Sequence, residues 1–300
     1  MKILKLAVVV LSCAVAFAGC KTQEVKVEKS PLKVLMIGNS FSISNTRNMP
    51  QICKAMGLDL ELASLYIGGC TLEHHWKNVK DAQKGYAPYG YRLFRDGKRV
   101  NAVPANWNIP EALKSQKWDV VTIQQGSHQS WDRATYSPCG DELVATIKKL
   151  CPTAKIVVQE TWSYTPWDRR LKKWGFDQNE MYSRLHKAYG DFAAKHSLGV
   201  IPMGAAVQAW RKQFPVKYAP DSIGGDVVGS LKFSKKEDGS YGISGDPFHL
   251  NQAGEYFQSL VWTAALFDVD VTKCPFIRDK TIGVENCRLM QKIANEVCGK

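Results

Sequence analysis

The 300-residue chain contains no CxxC pair and no HExxH segment, and its six histidines include a single adjacent pair, His74-His75. Neighbours on a helix point about 100° apart, which is poor geometry for holding one ion. Nothing in the sequence therefore asks for zinc, and no metal or cofactor is expected. A nucleic-acid-binding motif, an internal repeat and a low-complexity tract are likewise missing. The excess of Lys and Arg over Asp and Glu, 40 to 28, is carried by clusters such as Arg169-Arg170-Leu171-Lys172-Lys173-Trp174 and Lys235-Lys236. Without a motif beside them such runs read as solvated faces. No nucleic-acid partner is expected, whereas an acidic glycan or anionic surface is compatible.

Long apolar runs are also scarce. The run from Leu6 to Ala18 is too short to span a bilayer, follows Lys2 and Lys5, and leads into Phe17-Ala18-Gly19-Cys20 before the chain turns polar at Lys21. That pattern reads as an export signal, and the small residues before Cys20 resemble a bacterial lipobox. The expected organisation is a signal peptide over 1–19, an acylated Cys20 with a charged tether over 20–31, and a catalytic-size domain over 32–300. The protein is then exported and attached to a bacterial membrane through lipid on Cys20, and loss of Lys2 and Lys5 lowers the formal charge from +12 to +10. Of nine cysteines, Cys13 leaves with the signal, and seven others follow Cys20. An exported location permits disulfides among them, but spacing does not give their pairing.

The remainder alternates short apolar, β-branched runs with amphipathic stretches. Strands are expected at Lys33 to Ile37, Leu60 to Leu65, Asp119 to Gln124, Lys155 to Gln159 and Gly199 to Met203. Helical patterns occupy Met49 to Met56, Leu143 to Leu150, Glu180 to His196 and Gly254 to Leu266, the last after Asn251. This alternation predicts an α/β fold with a parallel sheet covered on both faces, whose functional groups gather at the carboxyl ends of the strands. Two segments, Tyr91 to Val103 around Asp96-Gly97 and Leu231 to Ile243 around Asp238-Gly239, read as hairpin insertions.

Ser40 closes the first strand in Gly38-Asn39-Ser40-Phe41-Ser42. By itself it reads as a turn residue. Much later, Gly245-Asp246-Pro247-Phe248-His249-Leu250-Asn251 puts a carboxylate three residues before an imidazole on a segment leading into a helix. Together the two segments resemble the SGNH, or GDSL-like, hydrolase superfamily across most of Leu32 to Asp268. The combination of IGNSFS, GGCTLEHHW, IQQGS, QETWSY and DPFHLNQAGEYF is similar to a lipoprotein branch of it.

The resemblance implies a flavodoxin-like three-layer sandwich on a five-stranded parallel sheet. It implies Ser40 as nucleophile, His249 as base and Asp246 as its orienter. Oxyanion donors would be the Ser40 and Gly69 N–H groups and a side chain from Gln124-Gln125-Gly126-Ser127-His128. Gln124 is the expected donor, with Gln125 and His128 as alternatives, and Asn39 stands where the usual pattern has Asp. The Gln-containing block resembles sialate O-acetylesterase-like relatives. The Gly-x-Ser-x-Gly signature of α/β-hydrolases is absent around Ser40, and the crowding of Asp and His into four residues separates the two folds.

Nine tryptophans and eleven tyrosines exceed the needs of such a core. Trp76, Trp131, Trp162 and Trp167 fall near strand ends, and Trp131 and Trp162, with Asn39, are candidates for contacting a sugar. The expected activity is a serine esterase acting on acylated carbohydrate or another small ester. The rival from another class is a lipid-anchored glycan-binding protein that kept this fold without turnover. A lipid esterase would require an apolar trough.

Overall fold

The computed structural model describes residues 30–101, 106–214 and 225–300, so the expected signal peptide, Cys20 and most of the tether lie outside the described residues. Among the described residues there are ten strands: β1 Leu32–Gly38, β2 Leu60–Tyr66, β3 Tyr89–Arg95, β4 Lys98–Val100, β5 Asn106–Trp107, β6 Val120–Ile123, β7 Lys155–Gln159, β8 Gly199–Ile201, β9 Val228–Lys235 and β10 Tyr241–Leu250. The five strands expected from apolar runs form a parallel array in the order β2-β1-β6-β7-β8. β1 is buried on both faces from Val34 to Gly38, which is why it reads as a continuous apolar run and not as an alternating one. The chain leaves β1 towards β2 on one side and returns to β6 on the other. That order reversal opens a crevice at the carboxyl ends of β1 and β6.

The first expected hairpin, of which residues 102–105 lie outside the described residues, does more than decorate the sheet. β3 pairs antiparallel with β2, β4 and β5 pair with β3, and the parallel array becomes an eight-stranded mixed sheet. Asp96 and Gly97 make its turn with φ of 46° and 72°. The second hairpin, β9–β10, forms a separate two-stranded sheet.

Helices cover the sheet. The Leu72–Asp81 helix buries Leu72, His75, Asn78 and Val79 while its neighbour His74 stays exposed, the divergence expected of adjacent helical residues. The Gln252–Phe267 helix is buried continuously from Gly254 to Ala264 and packs between the Val284–Val297 and Met49–Ala55 helices. Asn251 caps it, accepting from the Ala253 and Gly254 N–H groups at 3.1 and 3.0 Å. No helix among the described residues is long and apolar enough to cross a membrane.

All seven described cysteines are free thiols, five of them buried, and Cys53 and Cys70 are pushed up to about 12 by burial. They act as small apolar core residues. Among the described residues no group of three or more His, Cys, Asp or Glu side chains is placed to hold a metal ion.

Candidate active site

Ser40 is the second residue after β1, at the start of a short Ser40–Ile43 helical turn. Asn39 caps that turn, accepting from the Phe41 N–H at 2.9 Å and donating to the Cys70 carbonyl at 2.9 Å. Gln124 Nε2 donates to Asn39 Oδ1 at 2.5 Å. Farther along, the Phe41 carbonyl accepts from Gln159 Nε2 at 2.8 Å and Gln258 Nε2 at 2.6 Å. Four buried carboxamides, Asn39, Gln124, Gln159 and Gln258, thus lock the backbone that carries the serine.

The Asp-Pro-Phe-His segment arrives from the other end of the chain. It is part of β10, not a loop, and a four-residue step from Asp246 to Leu250 faces the two-residue step from Ser230 to Val228. The surplus bulges out of the ladder and aims the imidazole away from the hairpin. Gly245 makes this approach possible: its φ is +121°, and a Cβ there would lie 1.8 Å from the Ser230 carbonyl oxygen. The bulge is tied down by Thr165, whose N–H and hydroxyl both donate to the Pro247 carbonyl, and by the Trp162 indole N–H, which donates to the Phe248 carbonyl at 2.8 Å.

The two segments meet. His249 Nε2 lies 2.9 Å from Ser40 Oγ, and His249 Nδ1 lies 2.7 Å from Asp246 Oδ2. Asp246 Oδ1 accepts from the Phe248 and His249 N–H groups, each at 3.0 Å. Burial works to raise the Asp246 pKa, but these N–H groups and the imidazole outweigh it and hold the carboxyl below its ordinary range. Asp246 is thus an anion aligned on Nδ1, leaving Nε2 to face the serine hydroxyl.

These side chains open onto a cleft of about 400 Å³ lined by Ser40, Gly68, Gly69, Ser127, His128 and His249, with aromatic walls from Tyr66, Tyr164 and Phe248. Gly69 has a φ of +62°, a backbone shape that glycine adopts without strain, and it is exposed at the cleft.

Four side chains expected at the substrate, Gln124, Asn39, Trp131 and Trp162, are committed to other contacts. Gln124 is buried and its amide nitrogen is committed to Asn39, so it does not reach an oxyanion. Gln125 is committed too: it donates to Thr135 and accepts from the Leu72 and Gly126 N–H groups. Ser127 and His128 are the members of that block on the cleft wall, and the His128 pKa is lowered by burial and then by the charge of Arg170. Asn39 is 1% exposed and serves the turn, not a ligand. Trp162, also 1% exposed, stacks on Phe41 with centroids 4.2 Å apart, beneath the site and not on its surface. Trp131 packs against Trp174 and Phe176 and does not line the cleft.

Conversely, Gln159 and Gln258 as supports, and Tyr164, Arg170 and Phe248 as walls, were not singled out as site residues by sequence reading. Their one available signal is position: Gln159 ends β7, and Phe248 sits inside the Asp-x-x-His segment.

A mostly parallel sheet in this order, with Ser40 after its first strand and an Asp-x-x-His segment before its long buried helix, is the fold that the resemblance to SGNH, or GDSL-like, hydrolases implies. The chain belongs to the family described as domain of unknown function DUF4886, whose model matches residues 33–217, more than half of the chain. That match includes Ser40 and stops before Asp246 and His249. A crystal structure of a DUF4886 family protein from Bacteroides uniformis is similar at 26% identity and a TM-score of 0.75, covering 89% of this chain and 95% of that one. A proposed SGNH hydrolase from Slackia heliotrinireducens shares the fold at 21% identity and a TM-score of 0.50, covering 78% and 97%. No curated protein matches the chain.

Proposed function

We propose that the protein is a serine ester hydrolase of the SGNH type that removes small acyl groups, O-acetyl above all, from carbohydrate. The observation that carries this reading is the unbroken Ser40–His249–Asp246 hydrogen-bond chain at the mouth of a cleft. A serine hydroxyl is a poor nucleophile at neutral pH and needs a base within about 2.6–3.2 Å. As Ser40 Oγ attacks the acyl carbon, its proton passes to His249 Nε2, and Asp246 stabilises the imidazolium. The same imidazolium then protonates the departing alcohol, and a water deprotonated by His249 releases the acyl group from Ser40.

The negative charge of the tetrahedral intermediate needs donors, each worth about 10²–10³ in rate. The Ser40 and Gly69 N–H groups fill two of the positions, and His128, neutral at pH 7 because its pKa is lowered, fills the side-chain role first assigned to Gln124. A cleft of about 400 Å³ with Ser127, His128 and Arg170 on its walls suits a small polar ester better than a long acyl chain. Tyr66 and Phe248 take over the sugar-stacking role first given to Trp131 and Trp162. Cys20 and its leader support an exported protein anchored by lipid, with the ester outside the cytoplasm.

The test is hydrolysis of 4-nitrophenyl acetate and of acetylated polysaccharides by the full chain in detergent. Ser40→Ala is expected to lower kcat/KM by about 10⁴-fold or more. Undiminished activity in Ser40→Ala rejects the nucleophile, and binding of acetylated glycan without turnover by the unaltered protein favours the glycan-binding module.

A further inference from the structure

Among the described residues Arg170 is the single permanently charged residue on the wall of the Ser40 cleft and no Asp or Glu lines it, although the Asp246 carboxylate behind His249 is near enough to add to the raising of the Arg170 pKa. Its basic cluster reads in sequence as a solvated face, yet Arg170 is only partly exposed, turned inward, and rigidly held. Nε donates to Asp168 Oδ1 and Oδ2 at 3.0 and 3.2 Å, and Nη2 donates to Oδ2 at 2.5 Å. Asp168 is itself buried and caps the Arg169–Trp174 helix. The guanidinium carbon lies 4.2 Å from the Tyr164 ring centroid and 4.3 Å from that of Phe248, the residue next to His249.

These contacts occupy the Nε edge and the flat faces of the guanidinium. Nη1 has no protein partner among the described residues. The field of the group is felt in the cleft, where it helps to lower the pKa of His128. Arg170 also lines an adjoining groove of about 340 Å³, together with Trp167, Arg169, Ile243 and Ser244. The carboxylate of that groove, Asp168, is already paired. A neutral ligand would leave the Nη1 edge to water alone, whereas a planar carboxylate matches the fork that remains.

We propose that Arg170 is a specificity-determining residue that binds a carboxylate of the substrate through its Nη1 edge, so that the ester brought to Ser40 belongs to an acidic molecule. This rests on the ester-hydrolase reading of the cleft and narrows it. The carboxylate sits either on the alcohol side, as in an acetylated uronic acid, or on the acyl side, as in a dicarboxylic half-ester, and the chemistry of recognition is the same.

The experiment uses the full chain in detergent and two matched pairs. Methyl 4-O-acetyl-glucuronoside is compared with methyl 4-O-acetyl-glucoside, and 4-nitrophenyl hemisuccinate with 4-nitrophenyl butyrate. The acid of at least one pair is expected to be preferred about tenfold or more in kcat/KM, the pair showing on which side the carboxylate lies. In Arg170→Gln the preference falls to about twofold or less, and Arg170→Lys, which keeps charge but not the fork, retains part of it. Because each preference is a ratio within one protein, a smaller folded fraction cancels. Hydrolysis of the neutral esters with no preference for either acid, or a preference undiminished in Arg170→Gln, overturns the proposal and leaves the esterase reading standing. If no ester is turned over, the esterase reading fails, and calorimetric titration with methyl glucuronoside and methyl glucoside decides this one. Selective binding of the acid that Arg170→Gln abolishes supports it, and equal or absent binding overturns it.

Discussion

The proposed nucleophile and its base are held by two unlike regions. Ser40 stands on the centre of an eight-stranded sheet, on a turn fastened by four buried carboxamides. His249 and Asp246 stand on a two-stranded hairpin, with side chains 38% and 37% exposed, fastened mainly through main-chain carbonyls to Trp162 and Thr165. A lone two-stranded ribbon is marginally stable in water, so the geometry of the base depends on what the hairpin leans against. The serine side is set by the core, and the imidazole side by a few hydrogen bonds and one aromatic stack.

The strongest way to break this contrast is within the hairpin itself. Asp246→Asn keeps the volume but removes the charge that stabilises the imidazolium, and about 10³–10⁴-fold loss of kcat/KM is expected with little change in thermal midpoint. A large drop in the midpoint instead would show that Asp246 is structural.

On the sheet side, acid should act through His75, buried under the Leu72–Asp81 helix against Tyr89, its pKa lowered to about 3 by burial and by His74. Since the unfolded chain binds a proton near pH 6.5 and the folded one does not, stability falls as pH drops from about 6.5 towards 3, by about 1.4 kcal/mol per pH unit at most. Asp246 has the depressed pKa usual for a paired carboxylate, so its contribution persists until pH falls below its ordinary value of 3.8. Denaturant unfolding at pH 7 and pH 5 checks the order: His75→Phe should flatten the upper window, and an unaltered slope in that variant removes His75 from the account.

The smallest effect is expected at the junction. Trp162→Phe keeps a ring against Phe41 but deletes the hydrogen bond to the Phe248 carbonyl, at a cost of about 1 kcal/mol. A threefold to tenfold lower kcat with the KM for 4-nitrophenyl acetate little changed would show that the stack positions the hairpin. Unchanged kinetics would mean that Thr165 alone suffices.

The five parallel strands were legible because a strand buried on both faces reads as an apolar run, as β1 does from Val34 and β6 does throughout, while β2, β7 and the half-exposed edge strand β8 keep enough aliphatic residues to stand out between helices. Helices with polar positions on their inner faces were less so: the Leu72–Asp81 helix buries His75 and Asn78 and carries no simple apolar stripe. In the site, Ser40, Asp246 and His249 could be picked out because their spacing is local or tied to a strand end. Gln124 and Asn39 were misplaced since a carboxamide near a strand end serves a backbone or a ligand equally well, and the sequence does not say which way it turns. Trp162 illustrates the same ambiguity for an aromatic, and Arg170 for a charge: one lies underneath the site, the other on its wall, though neither flanking sequence distinguishes them.

By itself the amino-acid order determined the alternation of strands and helices, the glycines that permit the turn at Gly69 and the close approach at Gly245, and the identity of the groups able to move a proton. Folding decided which polar side chains were spent on holding the backbone and which were left facing the cleft. The reason is that hydrogen-bond partners are chosen by distance in space, and Ser40 and His249, separated by most of the chain, come within 2.9 Å only when the hairpin closes on the sheet.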